Sequence, residues 1–257
     1  MDALAGLLDG PRARGAFLLR CLLDPPWSLR VEDEAPLALT AVARGHAHVW
    51  SDDGETVELG PGDVLITRGP RPYSVAHALG TPPHAIIRPG PRCVALDGHE
   101  LREEMALGVR SWGNSGTGET VLLTGAYHLE GEVSRRLIRV LPHLLVLTSS
   151  DWSTPLVPLL AEEIVKDEPG QEAVLDRLLD LLLIAALARR FTELVGEPPM
   201  TFLTGWRLAL AADLLREPDT GLAAVARQVG YATPYALSTA FKRAHGVSPR
   251  DYREARV

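Results

Sequence analysis

Near Gly131 the spacing of apolar residues changes from that of strands to that of helices, so one layered fold cannot take up the whole chain. Upstream, from Trp27 to about Leu129, short apolar and β-branched runs alternate with Gly and Pro: W-S-L-R-V-E, L-A-L-T-A-V-A, H-A-H-V-W, E-T-V-E-L, D-V-L-I-T, Y-S-V-A-H and T-V-L-L-T-G. Closely spaced strands separated by turn residues predict a sandwich or a barrel. Gly54 and the G-P-G turn at Gly60–Gly62 supply the positive φ of tight connections. Residues 97–118 read as a long irregular excursion. Downstream, Leu137, Val140, Leu141, Leu144 and Leu145 make one helical stripe. Leu156, Leu159, Leu160 and Ile164 make a second, and Val174, Leu178, Leu181, Leu182 and Ala185 a third. Three amphipathic helices are therefore expected, with faces broad enough to cap the β-domain or to pair with a second copy; we expect a homodimer.

The chain has 257 residues, 46% of them hydrophobic, enough for two buried cores. Cys21 and Cys93 are too few for a disulfide framework. Asp2 and Asp9 stand where a secretory leader would be basic and then apolar, so a cytoplasmic protein is expected. The longest apolar run, Leu181–Ala188, falls well short of the roughly 20 residues of a membrane helix, and no membrane partner is expected. Charge is uneven: residues 1–186 carry net −10 and residues 187–257 net +3, which together make the −7 of the whole chain. Contact with phosphates therefore belongs at the C-terminal end.

That end carries the most specific signal. In G-L-A-A-V-A-R-Q-V-G, Leu222, Val225, Ala226 and Val229 share one helix face, and Gly230 follows where a left-handed cap is needed. Thr233 can cap a new helix with Pro234 in its first position, so a second helix starts after a very short turn. Within it Leu237, Ala240, Phe241 and Ala244 form the expected buried stripe. Tyr235, Ser238, Thr239, Lys242 and Arg243 are left outward, a hydroxyl-and-cation face suited to a DNA major groove. Ser248-Pro249 would cap a last short helix whose Arg250 and Arg253 add phosphate contacts. An ordinary helical hairpin with solvated charges fits the same pattern.

The residues G-L-A-A-V-A-R-Q-V-G-Y-A-T-P-Y-A-L-S-T-A-F-K-R-A-H-G-V-S-P-R-D-Y-R closely resemble the second helix-turn-helix of AraC/XylS-family regulators. The resemblance covers residues 187–257 and implies double-stranded DNA as partner. Upstream, A-R-R-F-T-E-L-V-G-E-P-P-M-T-F-L-T-G-W-R-L-A-L-A-A-D-L-L-R resembles the end of the family's first recognition helix and the linking helix that follows. The first helix and turn of that first unit have no counterpart: L-L-L-I-A-A-L runs directly into A-R-R-F-T-E-L-V-G. A deletion, natural or engineered, would expose the face that the missing helix covers, so the expectation is that the intact protein has further residues at this join. Of the first unit only Arg189 and Arg190 survive as candidate DNA contacts.

The run V-A-R-G-H-A-H-V-W-S-D-D-G-E-T-V-E-L-G-P-G-D-V-L-I-T-R-G-P-R-P-Y resembles the central strands of cupins. Residues 1 to about 186 are similar to the cupin-type sensor of a subset of AraC-family regulators. The expected class is thus α+β: a cupin-like β-barrel over 1–130, a helical linker and dimerisation segment over 131–186, and an all-α helix-turn-helix region over 187–257. His46 and His48 are two apart on a strand and invite a metal. In metal cupins, however, the paired histidines and a glutamate precede the glycine that here is Gly45, and the later histidine falls at Tyr73. Unless His77 or His84 converges on them, no metal is held, and none, nor any other cofactor, is expected. His46, His48, Trp50 and Tyr73 are instead candidates for a ligand pocket. Cys21 and Cys93 are either inert buried thiols or, as oxidant-responsive relatives imply, a sensing pair activated by Arg20 or Arg92. The input is accordingly a small-molecule effector or an oxidant. No nucleophile arrangement, phosphate loop or paired carboxylates suggest an enzyme, and the alternative is a metal-dependent cupin enzyme with a helical appendage. A ligand-binding or dimerising protein that has lost DNA binding is the third reading.

Overall fold

The computed structural model describes residues 17–90, 92–127, 141–195, 199–217 and 220–254. They divide into two compact units, residues 17–127 with 141–190 and residues 191–254.

In the first unit the strands are β1 (Phe17–Leu23), β2 (Ser28–Val31), β3 (Leu37–Arg44), β4 (Ala47–Ser51), β5 (Thr56–Leu59), β6 (Val64–Arg68) and β7 (Tyr73–Ala76). There follow β8 (Ala85–Arg88), β9 (Arg92–Val94), β10 (Ala106–Gly108), β11 (Ser111–Gly113), β12 (Thr120–Tyr127) and β13 (Leu144–Leu147). They form two sheets, ordered β10-β11-β1-β12-β3-β6-β13 and β5-β4-β7-β2-β8-β9. The expected barrel is therefore two open sheets sharing one core, in a cupin-like domain. Cys21, Leu23, Val42, Leu65 and Leu122 of the first meet Leu29, Val31, Val49, Val75 and Cys93 of the second.

Alternation along each strand sends the other side chains of the seven-stranded sheet away from that core. Two helices belong to this unit, α1 (Leu156–Glu163) and the greater part of α2 (Gln171–Val195). Gly125 of β12 lets α2 approach: a Cβ there would lie 2.5 Å from Leu179 Cδ2. The neighbouring Tyr127 hydroxyl donates to the Leu179 carbonyl at 2.8 Å, which ties strand to helix.

Two sequence expectations change here. Leu144 and Leu145, read as part of a helix, lie in β13, which pairs antiparallel with β6 from Leu144↔Thr67 to Leu147↔Val64. Leu137 and Val140 of the same stripe lie outside the described residues. The irregular excursion holds two short strands, β10 and β11, and the run F-L-L-R-C-L-L, apolar but for Arg20, forms the unpredicted β1. In the chain as given, α2 runs without a break from Gln171 to Val195 across position 186/187.

The second unit holds the C-terminal end of α2, α3 (Pro199–Leu214), α4 (Leu222–Gln228), α5 (Pro234–His245) and α6 (Pro249–Glu254). Its core gathers Leu208, Ala211, Ala212 and Leu215 around Val225, Ala226, Val229, Leu237 and Phe241.

Candidate nucleic-acid interface and effector cavity

The turn between α4 and α5 is set by two caps. Gly230 sits at φ +78°, where the Arg227 carbonyl accepts its N–H at 3.2 Å and the Ala226 carbonyl accepts that of Tyr231 at 2.8 Å. That pair of bonds closes α4 in the Schellman manner. Thr233 begins α5 in an extended conformation, its Oγ1 accepting the Ala236 N–H at 3.1 Å, with Pro234 in the first turn. Gly246, at φ +78°, ends α5.

Leu237 and Phe241 are fully buried, whereas Thr233, Tyr235, Thr239, Lys242 and Arg243 are exposed and Ser238 is half-buried. Tyr235 is 82% exposed, unusual for an aromatic side chain with no covering. The expected inner stripe is one residue shorter than read, because Ala244 is exposed. Arg227, in the last turn of α4, is a further exposed cation beside the turn that the sequence reading passed over.

α6 braces the recognition surface from behind. Ser248 and Asp251 cap it reciprocally, Ser248 Oγ accepting the Asp251 N–H at 3.2 Å and Asp251 Oδ2 the Ser248 N–H at 3.4 Å. The Tyr252 ring meets Phe241 edge-on at 5.3 Å and its hydroxyl accepts from Arg216 at 2.8 Å. Arg253, expected on phosphates, turns inward and donates to the carbonyls of Leu215 and Thr220 at 3.0 and 2.5 Å. Arg250 faces solvent and pairs with Glu254 at 2.8 Å, one helical turn on. Arg189 and Arg190 lie in the β unit, donating to the carbonyls of Asp151 at 3.1 Å and Val146 at 3.2 Å.

The other site is a cavity of about 1020 Å³ lined by both sheets and by Glu172, Leu175 and Asp176 of α2, with Asp33, Glu34, Arg102 and Arg110 also on its walls. Leu29, Val31, Val75, Trp112 and Leu122 give it apolar walls, and Thr40 and Thr124, bonded Oγ1 to Oγ1 at 2.8 Å, give it a hydroxyl pair. Trp112 Nε1 is a buried donor with no acceptor. Tyr73, Cys21 and Cys93 all line this space. Burial raises the Tyr73 phenol, whose hydroxyl is held by Thr67. His46, His48 and Trp50 are not among its walls: Ala47 and Val49 fill the core side of β4, so His48 and Trp50 point the other way and His46 is exposed.

Desolvation, with the other thiol nearby, pushes the Cys21 thiol up to about 12; desolvation and the Glu100 carboxylate push Cys93 up to about 11. Arg92, which would have lowered Cys93, is taken up by Glu100 at 2.5 Å. Among the described residues no three His, Cys, Asp or Glu side chains gather to hold a metal ion, and no helix is long and apolar enough to cross a membrane.

A family model described as "Cupin" matches residues 2–191, and one described as "Helix-turn-helix domain" matches residues 184–255. A putative AraC-like transcription regulator of Streptomyces lividans is 25% identical over 314 aligned residues, covering 99% of this chain and 98% of that protein. The chain belongs to the AraC-type transcription regulators with an N-terminal cupin domain. Another AraC-like regulator, from Streptomyces antibioticus, is 50% identical over 70 residues, 27% of this chain and 23% of that one. The transcriptional regulator AlkR of Acinetobacter baylyi is 22% identical over 99% of each chain. Among solved structures, an apo ToxT variant of Vibrio cholerae aligns to this AraC-type chain with a TM-score of 0.39 and 10% identity, over 92% of this chain and 96% of that one.

Proposed function

We propose that this AraC-type regulator binds double-stranded DNA through the outer face of α5, under the control of a small, largely apolar molecule held in the cavity of its cupin domain. The observation that carries the DNA reading is that α5 is capped at both ends, braced by α4 and α6, and keeps its hydroxyl-and-cation face exposed. Thr233, Tyr235, Ser238 and Thr239 meet base edges, while Lys242, Arg243 and Arg250 meet phosphates. Titrating the full chain against duplexes selected from a random pool tests this. Lys242→Ala should weaken binding to all sequences alike and reduce the slope of log affinity against log salt by about 0.9. Unchanged affinity in both Lys242→Ala and Arg243→Ala would remove α5 from the interface.

The effector reading is supported by apolar walls, a Thr40–Thr124 hydroxyl pair and the unpaired Trp112 donor, which suit a largely apolar molecule with one or two acceptor atoms. The oxidant reading is weaker, since both thiols are desolvated and neutral at physiological pH. A homodimer is supported by the exposed Val174 and Leu181, seven residues apart on α2. Leu181→Asp should leave a monomer in sedimentation if that stripe is the contact.

A further inference from the structure

Cations that the sequence offers to DNA lie on three helices, and the structure treats them differently. On α5, Lys242 and Arg243 are exposed beyond two buried anchors, Leu237 and Phe241. On α6, Arg250 is solvent-facing. The stretch Leu183–Arg190 of α2 is instead part of the β unit. Leu183, Ala186 and Leu187 are buried, Arg190 is bonded to the carbonyl of Val146 in β13, and Arg189 to that of Asp151. In a helix-turn-helix the recognition helix reads the groove with side chains that extend past its own fold, while a partner helix crosses the backbone. α2 meets neither condition there, because the residues that resemble the end of a first recognition helix continue a sensor-domain helix without a break from Gln171 to Val195. The Streptomyces lividans alignment agrees: it runs to 314 positions against 257 residues here, so that relative carries stretches with no counterpart in this chain.

We infer that each chain reads a single major-groove segment, through α5, and that Arg189 and Arg190 are positioning residues which fasten α2 to the β-domain. The inference rests on the reading of α5 as the DNA-contacting helix. A 12-residue helix is only about 18 Å long, and three or four of its side chains reach base edges, so base-specific contact stays within about half a turn of duplex.

The test uses the unaltered full chain on a duplex selected from a random pool, with the number of bound chains fixed by sedimentation and every base pair substituted in turn. One contiguous block of sensitive base pairs per bound chain is expected. Two blocks about 10 base pairs apart for one chain would overturn the inference while leaving α5 as a reader. Alongside it, Arg189→Ala and Arg190→Ala should leave affinity within about twofold, whereas Arg243→Ala lowers it about tenfold or more. A loss for Arg190→Ala equal to that for Arg243→Ala, with the circular dichroism of the unaltered chain, would also overturn it. Absence of any selected sequence would remove the reading of α5 and this inference together.

Discussion

The oxygen of Thr233 that accepts the Ala236 amide satisfies one of the four N–H groups that open every helix, and it does so at the edge of the proposed interface. Thr233→Ala should therefore lower the stability of the helical unit by about 1 kcal/mol in urea denaturation, and Thr233→Ser should restore most of it. The thiols make a prediction of the opposite kind. With Cys93 up at about 11 and Cys21 at about 12, only about one Cys93 in a thousand is a thiolate at pH 8. Raised values mean that the reactive form appears only as pH climbs toward 11. Labelling of the native chain by a thiol reagent should be slow at pH 8, accelerate with pH, and become immediate on denaturation; fast labelling of the native chain at pH 7 would revive the oxidant reading. At this scale the sequence placed the Thr233 cap, the buried Leu237 and Phe241 and the Gly246 stop of α5, because cap, stripe and stop are local. It misplaced Arg253, because nothing nearby announces that its partners are the carbonyls of Leu215 and Thr220, more than thirty residues earlier.

Among the elements, α4 and α5 were legible and β13 was not, for one reason. The caps and stripe of α5 are decided within the segment itself, whereas L-L-V-L suits a strand or a buried helix equally and is settled by its pairing with β6, some eighty residues upstream. Phase was lost in the same way. Alternation puts His48 and Trp50 on one face of β4, but which face looks inward depends on β5 and β7, which flank it, and the core side went to Ala47 and Val49. Equally, β1 is nearly continuous in apolar residues and shows no alternation, as expected of a strand buried on both faces. The packing of α5 has a measurable size. Phe241 is fully buried, stacked on His245 at 4.3 Å and edge-on to Tyr252, so Phe241→Ala should cost the helical unit about 3–5 kcal/mol in chemical denaturation. The cavity belongs to the other unit, and ligand-induced thermal stabilisation of that unit should be unaffected.

For the molecule as a whole, composition divides the chain into an acidic cupin part and a basic helix-turn-helix part, and the helix α2 spans the position 186/187 where the charge changes sign. α2 runs through that position, with residues up to Arg190 counted in the β unit and those from Phe191 in the helical one. L-L-L-I-A-A-L and A-R-R-F-T-E-L-V contain no Gly or Pro to stop a helix. Proteases need several residues of extended backbone, and a helix offers none until it opens. Arg189 and Arg190 form a dibasic pair that trypsin would favour in a loop, but under native conditions they should survive while Arg bonds elsewhere are cut, as mass mapping of the fragments would show. A crossover made between related regulators at position 186/187 would cut through the middle of a structural member instead of through a hinge.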